Sequence, residues 1–136
     1  MKPAELDVVI VGGSYAGLSA GMALGRAIRR VLIVDSGQPC NRQTPHSHNL
    51  LTQDGATPAH LAAVARTQVL AYPTVQLRAG TVTTVTGATN AFAVGTAAGE
   101  TFRARKILFA AGVRDLLPAI SGFAESWGIS VIHCPY

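Results

Sequence analysis

The sequence predicts an α/β domain in which a parallel β-sheet carries an antiparallel layer of short strands. Two β-branched runs, at 8–11 and 31–34, are separated by a glycine-rich turn and by apolar residues at helical spacing. Short alternating segments follow between 75 and 103, and an apolar run returns at 106–112. A strand–helix–strand start predicts parallel strands, and short strands joined by tight turns predict a meander.

The first half of the chain divides into five segments. A strand is predicted at about 7–11, a helix at about 15–28 and a second strand at about 31–35. Residues 36–57 are polar and form a predicted long loop, and loops of this length are usually functional. A second helix, which begins with proline, is predicted at about 58–71, with an apolar side formed by Leu61, Val64, Ala65 and Val69.

Short strands dominate the second half of the chain. Four are predicted, joined by turn-forming residues, at 75–77, 81–85, 91–94 and 101–103. The apolar strand at 106–112 ends in small residues, and irregular chain then leads to a strand-like segment at 130–136. We therefore predict a first domain over 1–115, and a connection with the start of a second domain over 116–136.

Composition narrows the class of protein. The 136 residues are 49% hydrophobic and 13% charged, which excludes extensive disorder. The net charge of +4 is spread along the chain without aromatic interleaving, so no nucleic-acid partner is expected. Two cysteines are too few for a secreted disulfide scaffold, and the acidic residues after Met1-Lys2 do not fit a signal peptide. We therefore expect a cytoplasmic protein.

A membrane span is an alternative interpretation of residues 8–25, which carry no charge and contain a GxxxG pattern. The β-branched run, however, stops at Gly12-Gly13, and a second such run ends at Asp35. Strand, turn, helix and strand account for all of these residues, whereas a span accounts only for their hydrophobicity. We expect no membrane association.

The turn between the first strand and the first helix predicts a dinucleotide site. Backbone N–H groups at a helix N-terminus bind a pyrophosphate, and small residues let the backbone approach it. Gly12 permits the tight turn and Gly17 lets the helix lie close to the sheet. Ser14 replaces the second glycine of the GxGxxG pattern, and its hydroxyl can donate to a phosphate. The predicted phosphate-binding residues are Gly12, Gly13, Ser14, Tyr15, Ala16 and Gly17.

Asp35 strengthens this prediction because it stands at the end of the second strand, about 20 residues after the glycines. A carboxylate at this position accepts hydrogen bonds from ribose hydroxyls. It also repels a 2′-phosphate, so the site is expected to prefer FAD or NAD over NADP.

A hydrolase is a competing interpretation of the same turn. Residues 12–16 resemble the G-x-S-x-G nucleophile elbow, and His46, His48 and Asp54 lie downstream. Several strands precede the elbow in that fold, whereas only one strand is predicted before this turn. The dinucleotide site is therefore favoured.

Metal binding is a further alternative, since His46 and His48 could join His133 and Cys134. The spacing lacks the paired ligands of a zinc site, so no metal is expected. Cys40 is interpreted as a half-buried bystander thiol. A disulfide between Cys40 and Cys134 is conceivable on counting alone.

Three segments together resemble the N-terminal part of a thioredoxin reductase-like, FAD-dependent pyridine nucleotide-disulfide oxidoreductase. They are DVVIVGGSYAGLSAGMALGRAIRRVLIVD, PHSHNLLTQDG and KILFAAGVRDLLPAISGFAESWGISVIHCPY. The resemblance covers essentially the whole chain but less than half of a family member of roughly 300 residues. It implies a three-layer FAD/NAD(P)-binding, Rossmann-like domain, with residues 1–115 as the first segment of the FAD-binding domain.

The resemblance also implies roles for individual residues. Gly12, Ser14, Ala16 and Gly17 would hold the pyrophosphate and Asp35 the adenosine ribose. Val82 would offer backbone contacts to the adenine, Ala111-Gly112 would allow close approach to FAD, and the loop would lie toward the flavin ring. The remaining implied cofactor-binding residues are Gly13, Tyr15, Ser36, Asn41, Arg42 and His48, with His46 on the same loop.

The implied reaction passes electrons from NAD(P)H through FAD to a C-x-x-C disulfide, which then reduces a thioredoxin-like protein or a small disulfide. Cys134 would be the first, catalytic cysteine, and the second would fall at position 137. NAD(P)H would bind a second domain, because these residues contain no second G-x-G-x-x-G. Family members often form homodimers.

Two other functions use the same predicted site. A flavin-dependent dithiol oxidase would pass electrons from a small dithiol to oxygen and make peroxide without NAD(P)H. A non-catalytic dinucleotide-binding module would bind nucleotide stoichiometrically and transfer no electrons.

Overall fold

The computed structural model describes residues 6–42 and 44–132. Within these residues, strands and helices alternate first and short strands follow. The elements are β1 (Leu6–Val11), α1 (Tyr15–Arg26), β2 (Val31–Asp35), α2 (Pro58–Leu70), β3 (Val75–Ala79), β4 (Val82–Thr86), β5 (Phe92–Thr96), β6 (Thr101–Phe109) and α3 (Phe123–Ser126).

The six strands form one mixed sheet in the order β3-β2-β1-β6-β5-β4. The first four strands in this order, β3, β2, β1 and β6, are parallel. Strands β5 and β4 continue the sheet in antiparallel pairing. In the register of the central strands, Val9 of β1 lies between Leu32 and Ile107. The predicted combination of a parallel sheet and an antiparallel meander is confirmed.

Two predicted strands, 101–103 and 106–112, are wrong as separate elements because they form the single nine-residue strand β6. Ala104 pairs with Phe92 of β5 on one side and with Leu6 of β1 on the other. The first half of β6 thus belongs to the meander and the second half to the parallel sheet. The strand ends at Phe109, before the small residues.

The prediction that residues 75–77 begin the meander is also wrong. This segment belongs to β3, which lies parallel to β2 with Val75 opposite Val31 and Ala79 opposite Asp35. Helix α2 provides the crossover that a parallel connection requires. The meander starts one strand later, at β4.

Alternating side chains of the parallel strands supply two hydrophobic cores. Val8, Ile10, Val31 and Ile33 pack against helices α1 and α2 on one face, with Leu18 and Val69. Val9, Leu32 and Val34 face the other way and pack with Val94 and Ala104 of the meander. Helices, parallel sheet and meander are therefore three layers, as predicted.

Helix boundaries differ slightly from prediction. Helix α1 ends at Arg26 rather than near 28, because Ile28 adopts a left-handed conformation with φ 57°. Helix α2 begins with Pro58, as predicted, and Thr57 accepts a hydrogen bond from the His60 N–H at 3.2 Å. Val64, predicted on the apolar side, is 38% exposed.

The chain after β6 is mostly exposed up to residue 132. Phe123 and Trp127 stack with ring centroids 6.0 Å apart, and an isolated bridge joins Trp127 to Val131. Most of the strand predicted at 130–136 lies outside the described residues. In the described part of the chain, none of the helices has the length and hydrophobicity to cross a membrane.

Candidate functional site

The glycine-rich turn places backbone against backbone at the carboxyl end of β1. Gly12 has φ +105°, and a Cβ atom there would collide with the Ala110 carbonyl oxygen. A Cβ at Gly17 would collide with the Gly12 carbonyl oxygen. Both glycines therefore serve the close packing that the sequence predicts for them.

Gly13 has a role that the sequence pattern does not reveal. A Cβ at Gly13 would lie 2.7 Å from the Cβ of Asp35. The Gly13 N–H instead donates to Asp35 Oδ1 at 3.2 Å. This hydrogen bond holds the glycine turn against the end of β2.

The N-terminus of α1 opens from this turn. Ser14 is the N-cap residue, but its side chain accepts no capping hydrogen bond, and the first turn contains no acidic residue. The first N–H groups of a helix lack intrahelical partners and carry the positive end of the helix dipole. This end of α1 is therefore suited to an anion.

Asp35 is mostly buried, with 14% of its side chain exposed, and its two oxygens have different partners. Oδ1 accepts from Gly13, and Oδ2 accepts from Arg66 Nη2 of α2 at 2.5 Å. Sequence reasoning missed Arg66. The available signal was that Arg66 is the one arginine, lysine or acidic residue in α2.

A cavity of about 500 Å³ lies where the turn, the end of β2 and the end of β6 meet. It contains ten of the predicted cofactor-binding residues. These are Gly12, Gly13, Ser14, Tyr15, Ala16, Asp35, Ser36, Val82, Ala111 and Gly112. Arg66 and Cys40 also line it, and Cys40 is exposed rather than half-buried.

A second cavity of about 350 Å³ adjoins the first and shares Ser14 and Tyr15 with it. It contains Asn41 and Arg42 of the long loop, which the first cavity does not. Asn41 and Arg42 therefore line the neighbouring cavity and not the first one.

The remaining predicted positions line neither cavity or lie outside the described residues. Gly17, whose missing Cβ makes room for the Gly12 carbonyl, lines neither cavity, nor do His46 and His48. The His48 Nδ1 lies 3.7 Å from Asp54 Oδ1, and both side chains are exposed. The His46 Nδ1 lies 3.0 Å from the Gly55 carbonyl oxygen. Cys134 lies outside the described residues. Across 6–42 and 44–132, histidine, cysteine and acidic side chains form no group of three that could hold a metal ion.

The donor set tests whether these residues fit a dinucleotide. The cavity offers an uncapped helix N-terminus for a diphosphate and a carboxylate at the end of the neighbouring strand for a sugar. The glycines of the turn allow the backbone of β1, α1 and the segment after β6 to pack closely at the edge of this cavity. The geometry is that of a dinucleotide-binding α/β domain, and the residues fit such a ligand.

Comparison with known proteins identifies the family. The family model for pyridine nucleotide-disulphide oxidoreductases matches residues 6–135. The chain belongs to the pyridine nucleotide-disulphide oxidoreductase family.

Individual relatives agree with this assignment. The chain is 36% identical over 134 residues to the thioredoxin reductase tcpT of Claviceps purpurea, covering 96% of this chain and 42% of that protein. It is 36% identical over 131 residues to the thioredoxin reductase aclD of Aspergillus oryzae, covering 94% and 41%. An oxidoreductase structure from Agrobacterium tumefaciens superposes with a TM-score of 0.93 and 46% identity, covering 97% of this chain and 45% of that one.

The chain thus spans about two fifths of the length of these curated relatives. It is similar to their thioredoxin reductase sequences over nearly all of its own length.

Proposed function

We propose that this chain is the FAD-binding part of an NAD(P)H-dependent disulfide oxidoreductase that resembles thioredoxin reductase. The observation that carries the proposal is the 500 Å³ cavity, into which the glycine turn, the N-terminus of α1 and Asp35 all open. The family and the names of the relatives support the reaction class.

The proposed diphosphate site is the first turn of α1. Ser14 leaves the first N–H groups without a side-chain cap, so a ligand can take their hydrogen bonds. The absence of acidic residues in this turn avoids repulsion of a doubly charged group. Gly12, Gly13 and Ala16 line the cavity without large side chains, so a phosphate can approach the backbone N–H groups.

The proposed adenosine site lies between the ends of β2, β4 and β6. Asp35 accepts hydrogen bonds from the ribose hydroxyls, next to Ser36. Val82 begins β4 and supplies backbone contacts to the adenine. Ala111 and Gly112 follow β6 without bulky side chains, which permits close approach to the cofactor.

The proposed flavin end extends toward the long loop. The second cavity continues from the first past Ser14 and Tyr15 and brings in Asn41 and Arg42. FAD would supply two-electron chemistry between a nicotinamide and a disulfide. The chain's own contribution is to bind and orient the dinucleotide; His48 is proposed to approach the flavin ring from this loop.

The proposed electron path continues outside the described residues. Cys134 is proposed as one thiol of a C-x-x-C pair, and NAD(P)H is proposed to bind a second domain. The partner would be a thioredoxin-like protein or a small disulfide, reduced by thiol–disulfide exchange. The active form is proposed to be a homodimer.

Replacement of Cys134 by serine in the full-length enzyme tests this function. NAD(P)H-dependent disulfide reduction should be lost while the visible absorption of bound FAD stays, because a serine hydroxyl cannot exchange with a disulfide. Cys40→Ser is the matched cysteine control; because Cys40 lines the proposed FAD cavity, its turnover is compared at equal bound FAD and should be kept. Undiminished turnover in Cys134→Ser, or a purified protein that binds no FAD, contradicts the proposal. Peroxide production from a dithiol without NAD(P)H would favour the oxidase instead.

A further inference from the structure

The ion pair between Arg66 and Asp35 joins α2 to the proposed adenosine site. Arg66 Nη2 lies 2.5 Å from Asp35 Oδ2, and both residues line the 500 Å³ cavity. Among the described residues that line the cavity, Arg66 and Asp35 are the ones with a charged side chain. Their opposite charges leave little net side-chain charge in the cavity. The ion pair also occupies one carboxylate oxygen of Asp35 and one guanidinium nitrogen of Arg66.

Stability alone is a poor explanation for this arginine. Arg66 Nε is buried and has no hydrogen-bond partner among the described residues. A buried N–H without a partner costs free energy, so Arg66 carries a cost beside the gain from its ion pair. The Arg66 side chain as a whole is also 41% exposed, so solvent screening weakens its attraction to Asp35.

We propose that Arg66 determines which adenosine ribose the site accepts. Arg66 is a positioning residue that holds the Asp35 carboxylate toward the unmodified ribose hydroxyls. Asp35 in turn engages a guanidinium that would otherwise bind a 2′-phosphate. This inference rests on the proposed dinucleotide function and adds its selectivity.

The chemistry of the two groups supports opposite preferences. A carboxylate at the end of β2 accepts from ribose hydroxyls and repels a phosphate, whereas an arginine nearby accommodates a 2′-phosphate. Arginine binds phosphate strongly because its N–H groups match two phosphate oxygens. Removal of Asp35 would therefore both abolish the repulsion and release Arg66.

The experiment compares ADP-ribose with 2′-phospho-ADP-ribose, which differ only in the 2′-phosphate. Binding of both to the full chain is measured by calorimetry for the wild type, Asp35→Ala, Arg66→Ala and the double variant. The ratio of the two affinities does not depend on the fraction of folded protein, so partial unfolding of a variant leaves it interpretable. Arg78→Ala is the matched control, since Arg78 pairs with Glu100 at 2.9 Å and does not line the cavity.

The wild type and Arg78→Ala should prefer ADP-ribose. Arg66→Ala should bind ADP-ribose about ten-fold more weakly, because Asp35 then lacks the partner that holds its carboxylate toward the ribose hydroxyls. Asp35→Ala should shift the preference toward 2′-phospho-ADP-ribose by at least about ten-fold, and the double variant should lose that shift.

Two results overturn the inference: an Asp35→Ala shift that survives removal of Arg66, or ADP-ribose affinity unchanged in Arg66→Ala. If the wild type binds neither ADP-ribose nor FAD, the proposed function fails with it. If the wild type binds both and the variants do not respond, only the role of Arg66 fails.

Discussion

At Gly12, the absence of a single atom, the Cβ, allows the turn at the candidate site to form. The positive φ of Gly12 is uncommon for residues with a side chain, and its missing Cβ leaves room for the Ala110 carbonyl. The sequence pattern identified Gly12 and Gly17 because such glycines stand in a recognisable spacing. It could not identify Arg66, since the pairing with Asp35 exists only once α2 has packed against α1 and β3.

Gly12→Ala is expected to destabilise the fold and to weaken FAD binding by at least about ten-fold, because backbone atoms must move to admit the methyl group. The measurements are urea unfolding and FAD titration.

Gly99→Ala is the matched control for that prediction. Gly99 also has a positive φ, +81°, but an added Cβ there would meet nothing within 4 Å. The control variant carries only backbone strain of about 1–2 kcal/mol and should bind FAD normally. Equal FAD affinity in both variants would contradict the role given to the turn.

At the scale of elements, local signals predicted β1, α1 and β2 to within a few residues, whereas the neighbour with which each strand pairs was harder to predict. The segment at 75–77 has the alternation of a meander strand, yet it pairs in parallel with β2. Strand alternation reports which faces are buried but not which neighbour a strand pairs with. The N-termini of α1 and α2 also differ in side-chain capping, which only the structure shows.

Thr57→Ala and Ser14→Ala are expected to have different effects on stability. Thr57 caps α2 by accepting from the His60 N–H, so its loss should cost about 1 kcal/mol in the free energy of unfolding. Ser14 makes no side-chain capping bond, so its replacement should change that free energy by less than about 0.5 kcal/mol. Urea denaturation of both variants measures the difference, and equal losses would show that Ser14 also caps its helix.

At the scale of the whole molecule, the meander does more than extend the sheet. Its residues Val94 and Ala104 close a hydrophobic core over Val9, Leu32 and Val34. The sequence predicted this layer from turn spacing and alternating strands. It could not predict that one long strand, β6, belongs to both layers, because the midpoint of that strand carries charged residues that resemble a break.

Val94→Ala should lower the free energy of unfolding by about 2 kcal/mol, because a side chain with 0% exposure loses two buried carbons and leaves a cavity. Val64→Ala removes the same atoms from a side chain that is 38% exposed. It should change stability little, since alanine also favours a helix. Chemical denaturation compares the two variants; similar losses would mean that the meander does not seal the core.

Because Ala104 pairs with β1 on one side and with β5 on the other, the middle of β6 joins the parallel sheet to the meander through backbone hydrogen bonding. The two ladders share this position, so opening of either layer disturbs the end of the other, and we expect the two to open in a coupled way. Hydrogen exchange is therefore expected to release the amides near Ala104 among the last.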